Sequence, residues 1–405
     1  MTRLLAVPLA LAFTAVVAAQ PKDDPLDRFT FKLSTTPAAA PVPALKYEFR
    51  VRHTDKLPGN AALDYYRASL LVPEWPRDPK ESEKQHAKLD GWEAMPLDEL
   101  PVAEVTDYLN QFVGGFEALD AAARREVVDW RQGVPLDPNK IEPLFRETGK
   151  FRELARLNGF RIRRDLARGD FDAAATALRS GFRLSQAVGE GPVLINLLVG
   201  TSIGALTVGQ ANHFVGRPGS PNLYWALSSL PRPVINPRPS LEGEAEFNER
   251  GGRSLFPLAK EGIDRWRTVR DEQHLAFGLP YPEAKAAWAK IRARVDVMKA
   301  ERADPVTAVY AMTVPAVEKA YYSFTRLDRR VAGLTAVEAV RMHAAGAGGK
   351  APAALADVTV VPVPADPATG RPFEYTGRAG GFTITAPEDP ASPGSGFRYV
   401  ITFRR

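Results

Sequence analysis

One stretch of this chain has the residue types and spacing of a nucleophile. Gly200-Thr201-Ser202-Ile203-Gly204 fits G-x-S-x-G. That pattern does chemistry when a strand precedes it and a helix follows, because the strained turn lifts the serine hydroxyl toward an acyl carbon. Val193 to Val199 is the expected strand and Ala205 to His213 the expected helix. Without that turn, Ile195, Leu198, Ser202, Ala205 and Leu206 share one face of a buried helix, and the glycines serve close packing. Two other groupings carry oxygen chemistry. Glu242, Glu244, Glu246 and Glu249 put carboxylates on one helix, with Glu242, Glu246 and Glu249 on a common face beside Arg250. They suit cation or sugar binding, or a solvated face laced with ion pairs. Asp366-Pro-Ala-Thr-Gly370 offers oxygen ligands, although Asp-Pro and Thr-Gly are first of all turn residues.

Gly200 to Leu206 resembles the G-T-S-x-G-A-L motif of patatin-type serine hydrolases. The resemblance implies a Ser–Asp dyad with a Gly-rich oxyanion loop upstream. No Gly-rich loop precedes Val193, and no Asp-Gly follows Ser202; the only Asp-Gly is at Asp90. Among the five histidines (His53, His86, His213, His274, His343) no two have the spacing of a helical metal pair, and there is no cysteine. Thiolate nucleophiles, disulfides and a lipid-modified cysteine are thereby excluded. No catalytic group other than Ser202, no cofactor site and no metal site is expected.

The elements that must carry these residues begin with an export signal. Met1-Thr2-Arg3 is followed by an apolar run from Leu4 to Val17 and by the small residues Ala18-Ala19. This is the pattern of a signal peptide over 1–19, too short for a comfortable membrane span. The mature chain is then expected in the periplasm or outside the cell, with no membrane anchor left. Residues 20–43 are rich in Pro and Ala and read as a flexible lead-in. The net charge of +5 is spread along 405 residues, which argues against a nucleic-acid partner. With 45% hydrophobic and 25% charged residues the composition is that of an ordinary globular protein.

A mainly helical domain is expected over 44–215. It opens with an alternating strand at Leu45–Arg52 and a helix at Ala61–Val72 whose apolar face is Leu63, Tyr66 and Leu70. Pro73 to Pro101 reads as a charged connection. Short helices follow at Val102–Val113 and Ala118–Trp130, then longer ones from Lys140. Leu166-Ala-Arg-Gly169-Asp170-Phe171-Asp172-Ala-Ala174 resembles the turn of a tetratricopeptide helix pair, which implies an α-hairpin that packs or binds protein. Arg161, Arg163, Arg164 and Arg168 give its first helix a basic, solvated face. Residues 216–239, with six prolines, read as an extended crossing.

Residues 240–345 are again helical: an acidic helix at Ser240–Arg250, one at Pro282–Glu301, a stretch opening at Asp304-Pro305, and a long amphipathic helix at Ala316–Ala344. The stripe of that last helix runs from Val317 through Tyr321, Phe324, Leu327, Val331, Leu334 and Val337 to Val340, over roughly 40 Å. Residues 346–405 turn β-prone at Val358–Val363, Phe373–Tyr375, Phe382–Ala386 and Phe397–Phe403, a small antiparallel β-subdomain. The long helix, the loop, and Asp366-Pro-Ala-Thr-Gly370-Arg-Pro372-Phe373-Glu-Tyr375 resemble the helix and hairpin of type II secretion major pseudopilins over residues 316–386. The same tail, with Asn60-Ala61-Ala62 and Tyr65-Tyr66, looks like uncharacterised secreted proteins of planctomycete-type bacteria. The expected function is that of a non-enzymatic interaction or structural protein with an envelope protein as partner. A serine hydrolase using Ser202 and a cation- or carbohydrate-binding module are the alternatives.

Overall fold

A computed structural model describes residue 26 and residues 29–131, 142–255, 260–300, 311, 313–390 and 392–404; within 142–147, 251–255 and at 260 it describes the backbone alone. The expected signal at 1–19 and the helical opening at Asp304-Pro305 lie outside the described residues. The chain runs β1 (Thr30–Thr35), β2 (Leu57–Asn60), α1 (Ala61–Leu70), α2 (Pro79–Ala94), α3 (Val102–Asn110), α4 (Val113–Arg124), β3 (Arg125–Val127), α5 (Glu142–Ala167), α6 (Phe171–Gly189) and α7 (Leu194–Gly216). It continues through the short α8 (Tyr224–Ser228), α9 (Arg238–Leu255), α10 (Lys260–Phe277), α11 (Tyr281–Ala300) and the long α12 (Val314–Gly346) to β4 (Glu374–Arg378), β5 (Gly381–Ala386) and β6 (Phe397–Phe403). The protein is mainly α-helical with a small C-terminal antiparallel group of strands, as the periodicity indicates.

Local chemistry sets several boundaries. Asn60 caps α1 by accepting from the Ala62 N–H at 3.0 Å. Asp78 accepts from Lys80 and Glu81 N–H at the start of α2, with Pro79 in the first turn. The α5–α6 hairpin turns at Gly169, whose φ of 75° lies in the left-handed region, and Asp170 caps α6 through the Ala173 N–H at 3.0 Å. α7 leans on α6 at a glycine contact. A Cβ on Gly200 would stand 2.4 Å from the Gly189 Cα.

The N-terminal segment departs from the expected lead-in. Thr30–Thr35 is a strand that pairs in parallel with β6, Thr30 opposite Arg398 and Thr35 opposite Phe403. The sheet order is β1-β6-β5-β4, so one parallel strand joins the antiparallel three. Leu45–Arg52 is not a strand. Its Phe49 and Arg50 N–H groups donate to the Ser229 hydroxyl, and Tyr47 and Phe49 are buried without a partner strand. Val358–Val363 also forms no strand. The connection at Pro73–Pro101 contains the sixteen-residue helix α2, which buries only Leu89 and Trp92. The 216–239 crossing carries the short helix α8.

α12 keeps an amphipathic stripe in its first half, where Pro315, Ala316 and Lys319 are exposed and Val317, Tyr321 and Phe324 are buried, and loses it in the second. Every residue from Val331 to Met342 is buried, because α7 and α8 cover one side and β5 and β6 another. Its charged residues are therefore paired internally. Arg341 Nη1 donates to Glu338 at 2.6 Å, and both side chains are fully buried. Arg341 also donates to the carbonyls of Thr36 at 3.0 Å and Ser220 at 3.1 Å. The second Glu338 oxygen accepts from the Leu223 N–H at 2.8 Å. Nearer the start of the helix, Arg329 makes two hydrogen bonds to Asp366, at 2.8 and 2.6 Å, and one to the Ser395 carbonyl. One hydrophobic core joins Tyr47, the hairpin, α7, α11, α12 and the sheet. A second gathers around α1–α4 and the inner faces of α5 and α6.

Breaking one half of a buried ion pair strands the other charge. Arg341→Met is expected to lower the unfolding free energy by about 3–5 kcal/mol, read from urea unfolding, and Arg341→Met with Glu338→Leu to recover part of that loss. A single-variant loss under about 1 kcal/mol, the size of a surface pair, would contradict this role.

Candidate functional site

Ser202 sits in the middle of α7, half-buried, with helix on both sides. Only Val193 is extended, and the helix begins at Leu194. The strand-to-helix elbow therefore does not form, and the expected strand at Val193–Val199 is corrected to helix. The glycines of the motif have a packing role. A Cβ on Gly204 would stand 2.6 Å from a Leu327 methyl, and the Gly200 carbonyl accepts from Ser185 Oγ at 2.8 Å. His213 lies on the same helix about 16 Å further along its axis.

The acidic helix is α9, and three of its four candidate carboxylates are already engaged. Glu246 pairs with Arg131 at 2.9 Å and Arg250 at 2.8 Å, and Glu249 with Arg267 and Arg270. Glu244 accepts from the Leu194 N–H at 2.9 Å and so caps α7; burial pushes its carboxyl above the usual range. Glu242 is exposed, on the wall of a cleft of about 510 Å³ shared with Arg270 and His274. Among the described residues no group of side chains could hold a metal ion. Asp366, the other oxygen candidate, gives both carboxylate oxygens to Arg329.

Of the basic face expected on α5, only Arg168 is exposed; Arg163 is buried, and Arg161 and Arg164 are half-buried. Arg161 makes two hydrogen bonds to Asp120, which also accepts from Ser180 Oγ at 2.6 Å. Arg164 bonds Asp165, and Arg168 donates to Thr106 Oγ1. Arg163 is 1% exposed and directs its guanidinium to the Met95 carbonyl and to His213 Nε2, 3.0 Å away. These contacts fasten α5 to α3, α4, α7 and the end of α2, which periodicity alone does not reveal.

The surface that remains unexplained by internal packing is on α1. Sequence spacing puts Leu63, Tyr66 and Leu70 toward the core. The structure turns the helix the other way, burying Ala61, Ala62, Tyr65, Ala68 and Ser69 against α4. Small residues win because they let two helices approach closely; α4 answers with Gly115, Ala118 and Ala122. Leu63 is consequently 56% exposed and Leu70 85% exposed. Leu71 and Val113 are also exposed, and Leu71 leans over Gly114 between them. An apolar strip thus runs along α1 to the start of α4, with Val127 exposed on β3, whose register places it opposite Asn60 at the far end. Scattered exposed leucines are ordinary, but several gathered where α1 meets the start of α4 are a feature of interaction surfaces. The sequence signal for it was the second, small-residue face of the same helix.

The chain has no match among protein-family models, curated proteins or solved structures.

Burial, together with the adjacent Arg163 guanidinium, pushes the His213 imidazole down to about 4. The ring keeps an exposed edge, so the guanidinium, to which Nε2 offers its lone pair, gives the direction its firmest basis. The unfolded chain then binds the proton first. Stability from this group is complete above about 6.5 and is lost as the pH falls toward about 4. His213→Gln keeps an acceptor for Arg163 but cannot titrate. It is expected to flatten the acid limb of a melting-temperature profile between those two pH values, and an unchanged limb would contradict the assignment.

Proposed function

We propose that this chain is an exported protein of the cell envelope that acts without catalysis, by docking a protein partner on the outward face of α1. The observation that carries the reading is the exposure of Leu63 and Leu70 on α1, with Leu71 at its end and Val113 at the start of α4, while α1 packs its small-residue face against α4. Export rests on the signal-like pattern of residues 1–19. Two features favour a role without catalysis: Ser202 is held inside a helix, and Glu244, Glu246 and Glu249 of the acidic helix are committed to a helix cap and to arginines. The pseudopilin-like unit at 316–386 has an architectural role in this reading, since α12 is enclosed from Val331 to Met342.

The test uses the mature chain and Leu63→Ser with Leu70→Ser in affinity capture from envelope extract. Both side chains are exposed, so stability is expected to stay within about 0.5 kcal/mol per site. Wild type is expected to retain a stable partner that the double variant loses. Equal capture by both proteins, or labelling of Ser202 by a fluorophosphonate, would overturn the reading.

A further inference from the structure

Among the described residues three arginines are buried to 1% or less: Arg163, Arg329 and Arg341. Two of them touch a carboxylate directly, Asp366 for Arg329 and Glu338 for Arg341. Arg163 does not. Its two terminal nitrogens reach the Met95 carbonyl and His213 Nε2, and its Nε–H, also buried, has no acceptor in the protein. A buried guanidinium that lacks both a touching carboxylate and a full set of hydrogen bonds is costly.

Arg163 lines a cavity of about 10 Å³ between α5 and α7, together with Glu93, Arg156, Asn158 and Gln210. Asn158 Oδ1 and Gln210 Oε1 are likewise buried without a donor, and Arg156 Nε without an acceptor. The Asn158 amide is oriented by its Nδ2–H, which donates to the Ala177 carbonyl at 2.9 Å, so Oδ1 is the atom left over. Gly159 packs beside the Gln210 amide, where a Cβ would make ordinary contact at 3.4 Å from Nε2. Glu93 supplies the countercharge across the cavity: it supports the charged form of Arg163 without a direct hydrogen bond and pairs with Arg156 at 3.2 Å. The residues that line this space of about one water thus carry two orphaned donors and two orphaned acceptors.

We propose that this cavity is a binding site for one structural water. The water accepts from the Arg163 Nε–H and donates to Asn158 Oδ1 and Gln210 Oε1, the roughly three hydrogen bonds a buried water makes. It completes the solvation of Arg163 and ties α5 to α7 at the level where Glu93 on α2 faces them. An anion is a poorer occupant, because the two amide oxygens would face it with lone pairs.

Diffraction from wild-type crystals, at a resolution that shows ordered waters, tests this directly, with a parallel bromide soak. One peak within hydrogen-bond distance of Arg163 Nε, Asn158 Oδ1 and Gln210 Oε1, carrying no anomalous bromide signal, is expected. Gln210→Leu separates a wet cavity from a dry one. Removing an acceptor that a water satisfies lowers the melting temperature by a few degrees, whereas removing an unsatisfied acceptor leaves it unchanged or raises it. No peak, a bromide peak, or a leucine variant as stable as wild type overturns the proposal. Should Gln210→Leu fail to fold, the wild-type density decides alone.

Discussion

The pair of Glu338 and Arg341 inside α12 is the constraint on which the rest of the structure depends. Neither charge has any contact with water, so each must be satisfied by protein. Arg341 fulfils that need by gripping the backbone at Thr36 and Ser220, and Glu338 by accepting from Leu223. Asn222 adds to the junction, donating to the carbonyls of Glu338 and Ala38. Three stretches remote in sequence are thereby fixed at one level of one helix: the exit of β1, the exit of α7 and α12 itself. Such a pair adds little net stability compared with apolar residues, but it penalises every arrangement in which any of the three stretches is displaced.

Arg329 repeats the arrangement three turns earlier. Its fork onto Asp366 and its bond to the Ser395 carbonyl hold two turns of the C-terminal subdomain against the helix. The strands then lay Phe382, Ile384, Tyr399 and Ile401 into the same core as α7 and α11. β1 closes the sheet on the far edge, and Arg330 lies over Phe29 and Phe31 where that strand enters. The start and the end of the described chain are thus adjacent strands of one sheet, clamped to a helix that both touch.

Much of this was legible in the sequence. Gly169-Asp170 marked the hairpin because only a tight left-handed exit and a cap fit there. The strands at 382–386 and 397–403 showed in their alternation, and the long helix in its stripe. What failed has physical reasons. Thr30–Thr35 lies among prolines and alanines, and its strand partner is more than 360 residues away. α2 is mostly charged and polar, so its helical signal lay in its Asp78-Pro79 start rather than in apolar periodicity. In α1 the larger side chains suggested the core face, while close approach to α4 selected the small one. G-x-S-x-G and the Glu cluster carry the right letters for chemistry, but their context turns glycines into helix contacts and carboxylates into caps and ion pairs.

The central role of Glu338 and Arg341 requires that α12 and its charged pairs tie β1, β6 and the helices into one cooperative unit. Native-state hydrogen exchange in low denaturant measures this most directly. Amides of β1, of β6 and of residues 331–341 are expected to exchange only through a shared opening, with the same free energy and the same denaturant dependence. If β1 and β6 open together at clearly lower free energy while α12 stays protected, the sheet is a separate unit and the central role given to Glu338 and Arg341 is wrong.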